Sequence, residues 1–512
     1  MLDKQRLPDI IDIMTGKPDD KLKILFVASE AAPFVKVGGL GEVMNSLPRA
    51  LRKIGHDARV LVPKYAIIDV ERYPLETELN NIRVESGDKD PFGILVSNVL
   101  RYKSADGGVN YFLENMEYYE KRANVYGYSD DTVRWVLLSK ASLEFVKKSS
   151  WKPDVIVASD WQTGFIPNLV HTDYKDDPIL SKIPVVFSIH NLKYQGMFDP
   201  RFVSEMDHDS GQAPISDFFD PRTLKLSGMR RGIMYADVIN TVSPTYAREI
   251  LTEEFGEGLN ALLSERKSRL FGILNGINTE SLNPETDKDL VANYSIKSLN
   301  KKLENQKALQ KQFGLPATEG DIFVVGMVGR MDGQKGFDIV TQMLGPLMDN
   351  INFQFVIVGE GDAGYRMYFE QLKEKYPNRV GTHFAFDARL PRMIFGGADA
   401  VLIPSKYEPS GLVQMEAMRY GCVPIVRKVG GLADSVEDFT PEKEEGTGFV
   451  FEKYDPFSLT IAVIRASELY RQKKEWEKLM KRAMAKDFSW EKSAREYIKL
   501  FEMALRFHRE SQ

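Results

Sequence analysis

The chain has 512 residues, enough for about three domains or two large α/β ones. Its 68 Lys and Arg against 73 Asp and Glu exclude the basic excess of a dedicated nucleic-acid binder, and 43% apolar residues fit a sizeable buried core. The single cysteine, Cys422, excludes a disulfide framework or a Cys-rich zinc site, and no apolar run approaches the ~18 residues of a membrane span.

Residues 1–20 are polar and charged, lack the apolar core of a signal peptide, and read as an N-terminal extension of unassigned role on a cytoplasmic protein. A buried strand follows at 23–28 (KILFVA), and the glycine phrase VGGLGEV at 37–43 opens a helix with Leu40, Val43, Met44, Leu47, Leu51 and Ile54 at helical spacing. Pro48 should kink that helix or end its first part. Further β-branched runs at 58–62, 154–158 and 184–189 read as strands buried on both faces. After a polar stretch from Asn283 to Lys302, a second series begins, with strands at 322–328, 353–358, 400–403 and 423–426. The phrase VGGLADSV at 429–436 echoes the first, and 458–471 and 490–506 read as closing helices. Alternating strands and helices in two similar series predict an α/β protein with two Rossmann-like domains, each with a parallel sheet covered on both faces. The expected division is a first domain at 21–285, a second at 286–488, and a C-terminal helix at 489–512 returning to the first.

Chemistry is expected in the loops beyond the carboxyl ends of the strands. Gly38 and Gly39 before a helix let backbone N–H groups approach an anion, with Lys36 supplying a mobile charge. On its own such a pair is equally what tight packing of a strand–helix turn needs. Arg330 and Lys335 share one glycine-bracketed loop and could neutralise a diphosphate, Arg as a planar fork and Lys as a point charge. Glu408 lies in the loop after 400–403, a helix opens at about Gly411, and Glu416 falls inside it; the carboxylates could accept sugar hydroxyls and the helix start could hold phosphate. In the first series Asp160-Trp161-Gln162 and His190-Asn191 follow strands, and His190 is as readily a core residue as a functional one. A rival motif, Gly359 to Gly364 with Asp387 further on, matches a dinucleotide fingerprint, although its strand is not the first of its domain. The pairs Asp207/Asp209 and Asp287/Asp289 do not follow strands and read as solvated loops, and with six scattered histidines no metal is expected.

Taken in order, the phrases KVGGLGEV (36–43), SDWQTGFIP (159–167), SIHNLKYQGMF (188–198), TVSPTYAREI (241–250), LNGIN (274–278), GRMDGQKGFD (329–338), EPSGLVQMEAMRYG (408–421), VGGLADSV (429–436) and GTGFVFEKYDPFSL (446–459) resemble one family. It is that of the bacterial glycogen synthases and plant starch synthases, retaining glucosyltransferases of the GT-B fold, and the likeness runs from about Lys23 to about Phe501. The resemblance implies two Rossmann-like domains facing a deep interdomain cleft, with ADP-glucose bound mainly by the second and an α-1,4-glucan such as glycogen lying across the first. It further implies that Arg330 and Lys335 stabilise the leaving diphosphate, helped by Gly38, Gly39 and the helix start at Gly411 and Leu412, while Lys36 approaches the donor. Glu408 would hold glucose hydroxyls, Glu416 the ribose, His190 and Asp160 the glucose side, and Asn275 would help position the donor. The substrate would be a nucleotide sugar, with no cofactor or metal and no nucleic-acid or membrane partner. The family usually has Thr at Val37, Asp at Glu42, His at Gln162 and Cys at Ser410, so a titrating group at position 162 is lost. Many bacterial members carry another residue where Glu416 stands, which leaves Glu408 the firmer of the two glutamates and the donor base open. The alternatives are a UDP-glucose donor, a small sugar acceptor, a catalytically silent scaffold, or an NAD-dependent oxidoreductase built on Gly359–Gly364.

Overall fold

The computed structural model describes residues 21–86, 93–196, 209–215, 218, 220–317 and 322–511. They form two compact units, the first taking in residues up to Val242, Ala247–Ile273 and Trp490 onward, the second Ser243–Tyr246 and Leu274–Ser489. The main crossing thus falls at Ile273/Leu274, earlier than the 285/286 division drawn on the polar stretch. That stretch is stitched into the second unit by its side chains. Tyr294 donates its hydroxyl to the Tyr420 carbonyl at 2.7 Å, Tyr420 donates in turn to Asp287, and Arg419 donates to the Leu282 carbonyl at 3.2 Å.

The first unit carries β1 (Lys23–Val27), β2 (Asp57–Pro63), β3 (Glu76–Glu85), β4 (Ile94–Lys103), β5 (Val109–Glu114), β6 (Val155–Ser159), β7 (Val185–Ile189), β8 (Val238–Thr241) and β9 (Leu270–Gly272). They form one sheet in the order β3-β4-β5-β2-β1-β6-β7-β8-β9. From β5 to β9 all neighbours are parallel, and the strands expected from the sequence lie there, β6 and β7 with every residue buried. The remainder departs from the expected all-parallel sheet: β3, β4 and β5 pair antiparallel at one edge. β3 and β4 have only two buried residues each, so they lack the continuous apolar signature of a doubly covered strand. The helix Gly39–Lys53 runs unbroken through Pro48. Its Leu40, Val43, Met44, Leu47 and Leu51 are buried, and tertiary packing of that face outweighs the one backbone bond that proline removes.

The second unit carries β10 (Phe323–Val328), β11 (Phe353–Val358), β12 (Val380–His383), β13 (Ala400–Ile403), β14 (Val423–Arg427) and β15 (Phe449–Phe451), all parallel, in the order β12-β11-β10-β13-β14-β15. Val325, Met327, Phe355 and Ile357 share one core with Phe337, Val340 and Leu344 of the helix Phe337–Asn350 and Leu459 and Val463 of the helix Pro456–Arg471. In each sheet the connections run one way from a central strand and then the other, so a switch point falls between β1 and β6 in the first and between β10 and β13 in the second. Loops leaving neighbouring strands in opposite directions open a crevice at such a point. No helix among the described residues is long and apolar enough to cross a membrane.

Candidate active site

In the second unit, the loop after β10 carries Arg330 and Lys335, and the loop after β13 carries Glu408. These are the two loops of the switch point, so residues distant in sequence meet there. Lys335 Nζ donates to Glu408 Oε2 at 2.6 Å, and Ser405 Oγ donates to the same oxygen at 2.8 Å. Glu408 is buried, yet Oε1 carries no hydrogen bond among the described residues, which leaves one carboxylate oxygen for a ligand. Asp332 shapes the loop by accepting from the Gln334 and Lys335 N–H groups, and Arg330 lies 3.5 Å from its carboxylate with most of its side chain exposed. A cavity beside this loop is lined by Arg330, Met331, Asp332, Gly333, Glu360, Gly361, Asp362 and Tyr365.

The helix beyond Glu408 is Val413–Arg419, so it starts two residues later than expected, with Gly411 and Leu412 still in the loop and Glu416 half-buried inside it. The second glycine phrase braces this loop: a Cβ on Gly430 would sit 2.0 Å from the Glu408 carbonyl oxygen and one on Gly431 1.7 Å from that of Ser410. The Gly431 N–H donates to the Glu408 carbonyl at 3.0 Å. These glycines therefore serve close packing rather than a ligand. Ser410 Oγ and Asn275 Oδ1 are buried without a hydrogen-bond partner among the described residues.

In the first unit, Asp160 follows β6 and His190 follows β7. Asp160 accepts the His190 backbone N–H at 2.7 Å, and its other oxygen lies 3.4 Å from His190 Nδ1, a ring nitrogen that is buried and otherwise unpartnered. Asp160 adopts φ +58°, a left-handed conformation costly for a non-glycine residue and characteristic of sites where a side chain must be aimed. Gln162 is buried with Oε1 unpartnered among the described residues. Lys36 is exposed and donates to Glu42 at 3.2 Å. No Cβ contact lies within 4 Å of Gly39, so space is open there.

Gly38 differs, because its N–H donates to Glu30 at 3.0 Å. Glu30, Ser405 and Asp332 escaped the sequence reading. The available signal for Glu30 was an acidic residue just beyond the first strand of a βα unit; Ser405 and Asp332 act only through partners the sequence does not place beside them.

Other expectations are corrected. The Gly359–Gly364 loop follows β11, away from the switch point, and its glycines admit the neighbouring loop: a Cβ on Gly359 would meet the Gly329 carbonyl oxygen at 2.1 Å. Its helix start is already capped by Asp362, which accepts the Gly364 N–H at 2.7 Å, so the place a pyrophosphate needs is taken. One aspartate of each Asp-x-Asp pair departs from the expected solvated loop: the Asp209 side chain is covered against Arg231 at 2.8 Å, and Asp287 is buried beneath Tyr420 and Arg392. Asp207 lies outside the described residues. No cluster of three or more His, Cys, Asp or Glu able to hold a metal occurs among the described residues.

Comparison with known proteins bears on what such loops do. Residues 23–265 match the family described as Starch synthase catalytic domain, and 306–483 match Glycosyl transferases group 1. Glycogen synthase of Thermotoga petrophila is 40% identical over 94% of this chain and 99% of its own length. That of Geobacillus stearothermophilus is 39% identical over 95% and 98%. The structure of the catalytic domain of starch synthase IV from Arabidopsis thaliana, bound to ADP and acarbose, superimposes with a TM-score of 0.81 at 31% identity, covering 95% of this chain and all of that one. Sucrose-phosphate synthase from Thermosynechococcus elongatus shares the fold alone, with a TM-score of 0.58 at 18% identity over 94% of this chain and 98% of that one.

Proposed function

The chain belongs to the glycogen and starch synthase family of glycosyltransferases, and on that premise we propose that it transfers glucose from ADP-glucose to the non-reducing end of an α-1,4-glucan with retention of configuration. The observation that carries the site assignment is the Lys335–Glu408 pair at the switch point of the second sheet, with Glu408 Oε1 uncommitted and Arg330 on the same loop as Lys335.

In this mechanism the bond from the anomeric carbon to the diphosphate oxygen breaks as positive charge grows on the sugar and negative charge on the leaving group. Lys335 and Arg330 oppose the second charge, and their placement before the reaction is what makes them effective. Lys335 keeps contact with Glu408 at the start, so binding a diphosphate gives it a second anionic partner and lets it lean toward whichever carries more charge. Glu408 Oε1 accepts a glucose hydroxyl and fixes the ring, while Gly411, Leu412 and Glu416 meet the remainder of the donor. By the family resemblance Lys36 and Gly39 would serve a diphosphate, and Asp160, His190 and Asn275 a sugar. The acceptor hydroxyl attacks from the face the diphosphate leaves and gives its proton to a diphosphate oxygen, so no side chain forms a glucosyl ester. No metal takes part, since two cations supply the countercharge. A cytoplasmic setting belongs to the same proposal.

Nucleotide release from ADP-glucose and UDP-glucose, each with and without glycogen, tests the reading when chain growth is followed in parallel. Glycogen-dependent ADP release with matching growth is the expected result. A preference for UDP-glucose overturns the donor, and release indifferent to glycogen overturns the acceptor. Capture of a covalent glucosyl–protein adduct would sink the front-face step.

A further inference from the structure

We propose that Glu30 is a positioning residue that sets the shape of the 36–41 loop and so decides which of its N–H groups meet the donor diphosphate; this rests on the donor-binding reading above. Glu30 lies just beyond β1, at the switch point of the first sheet, and is 2% exposed. A buried carboxylate is costly unless hydrogen-bonded or paired. No cation pairs with it among the described residues, and its hydrogen bonds go to the main chain of the glycine loop: Val37 N–H, and Gly38 N–H at 3.0 Å. Lys36, the nearest cation in sequence, turns instead to Glu42. The fit is close, because a Cβ on Gly38 or on Gly41 would stand 3.4 Å from one of the Glu30 oxygens. The negative charge is felt around it, since burial first and then Glu30 raise the phenol of Tyr126, whose hydroxyl lies 2.8 Å from Ser29 Oγ.

The consequence divides the loop in two. The Val37 and Gly38 N–H groups are spent on Glu30 and point inward. The helix Gly39–Lys53 starts just after them, with no side-chain cap, and its first N–H groups have no intrahelical acceptor. Around Gly39 the space is open. Glu30 therefore stands where an anion would otherwise draw in the front of the loop, and Gly39 and Leu40 are the groups left to face a diphosphate. This revises the expectation that Gly38 and Gly39 serve the donor alike.

Residue-resolved amide exchange on the native protein tests this directly, with ADP as the probe. Val37 and Gly38 should exchange at least about tenfold more slowly than Gly39 and Leu40 without ADP, and only the latter pair should slow on adding it. Equal fast exchange of all four without ADP overturns the proposal. In turnover, Glu30→Ala should lower kcat/KM for the nucleotide sugar by about 30-fold and weaken ADP binding, with the KM for glycogen unchanged. Glu30→Gln should recover to within about fivefold of native, because one amide oxygen can accept both N–H bonds. Donor parameters within twofold of native in Glu30→Ala, or a loss falling on glycogen instead, overturn the assignment. Where Glu30→Ala fails to fold, Glu30→Gln and the native exchange pattern decide. Native protein that releases no nucleotide with any donor defeats the synthase reading while leaving the ligand-free exchange pattern standing, so the two failures are separable.

Discussion

Lys335 and Glu408 stand 73 positions apart and are useful only together. Lys335→Ala or Arg330→Ala should lower kcat by about 10²-fold or more, the scale of a lost charge stabiliser, measured under saturating donor and glycogen. Lys335→Ala also strips a buried carboxylate of its cation, leaving Ser405 as its remaining donor. Combining it with Glu408→Gln should therefore cost clearly less than the two single effects multiplied, in a double-mutant cycle on kcat/KM. Full additivity would mean that the two act independently. The chemistry of these residues was legible one by one in the sequence, since cations in a glycine-bracketed loop after a strand suggest an anion. Their partnership was not, because it depends on which strands are neighbours.

The two glycine phrases look alike as sequence and differ as elements. Gly431→Ala would drive a methyl group to 1.7 Å from the Ser410 carbonyl oxygen and should cost about 3 kcal/mol of stability while displacing the Glu408 loop, seen as a lowered melting temperature together with lost activity. Gly39→Ala has space for its methyl and should leave the melting temperature within about 1 °C of native while weakening ADP binding. At the far end of the chain, the helix Trp490–Ser511 is fastened to the first unit through His508, whose Nδ1 lies 2.8 Å from Asp237 and whose Nε2 lies 2.9 Å from the Ser181 carbonyl oxygen. Burial would lower the imidazole pKa and raise that of Asp237, but hydrogen bonding to Asp237 lifts His508 above its ordinary value of 6.5, while His171 and then His508 hold Asp237 down to about 2. His508 thus binds its proton more tightly folded than unfolded. Its contribution is complete below pH 6.5 and drains away as pH rises through the raised value. Native protein should lose melting temperature across that rise, whereas His508→Gln should show a flatter profile and cost about 2 kcal/mol at pH 6. The apolar stripe of this helix was legible in the sequence, but the fastening was not, because Asp237 and Ser181 are remote from His508 along the chain.

For the whole molecule, the charge arrangement carries the prediction that activity is unchanged in excess chelator, assayed as glycogen-dependent nucleotide release. An activity abolished by chelation and restored by a divalent cation would return the countercharge to a metal. The cations each have an internal carboxylate within reach: Lys36 has Glu42, Arg330 has Asp332 and Lys335 has Glu408. Each cation is thus partnered before an anion arrives, and preorganised charge of that kind needs little rearrangement when charge develops nearby.

Eight of the buried parallel strands announce themselves by continuous apolar runs and were legible in the sequence, together with the order of the two βα series and the residue types in their loops; the short β8, β9, β12 and β15 were not. It misjudged what lacks that signature. The edge strands β3 and β4 have few buried residues and alternate too weakly to be read as strands. It also could not tell a glycine that receives a ligand from one that receives a neighbouring carbonyl, since both positions ask only for the absence of a Cβ. Tertiary structure decided this. Strand order set Glu408 against Lys335, filled the Gly359 turn with the loop beside it, and put the Glu30 carboxylate against the first glycine loop. Periodicity is a local property of the chain, and the meeting of two loops is not.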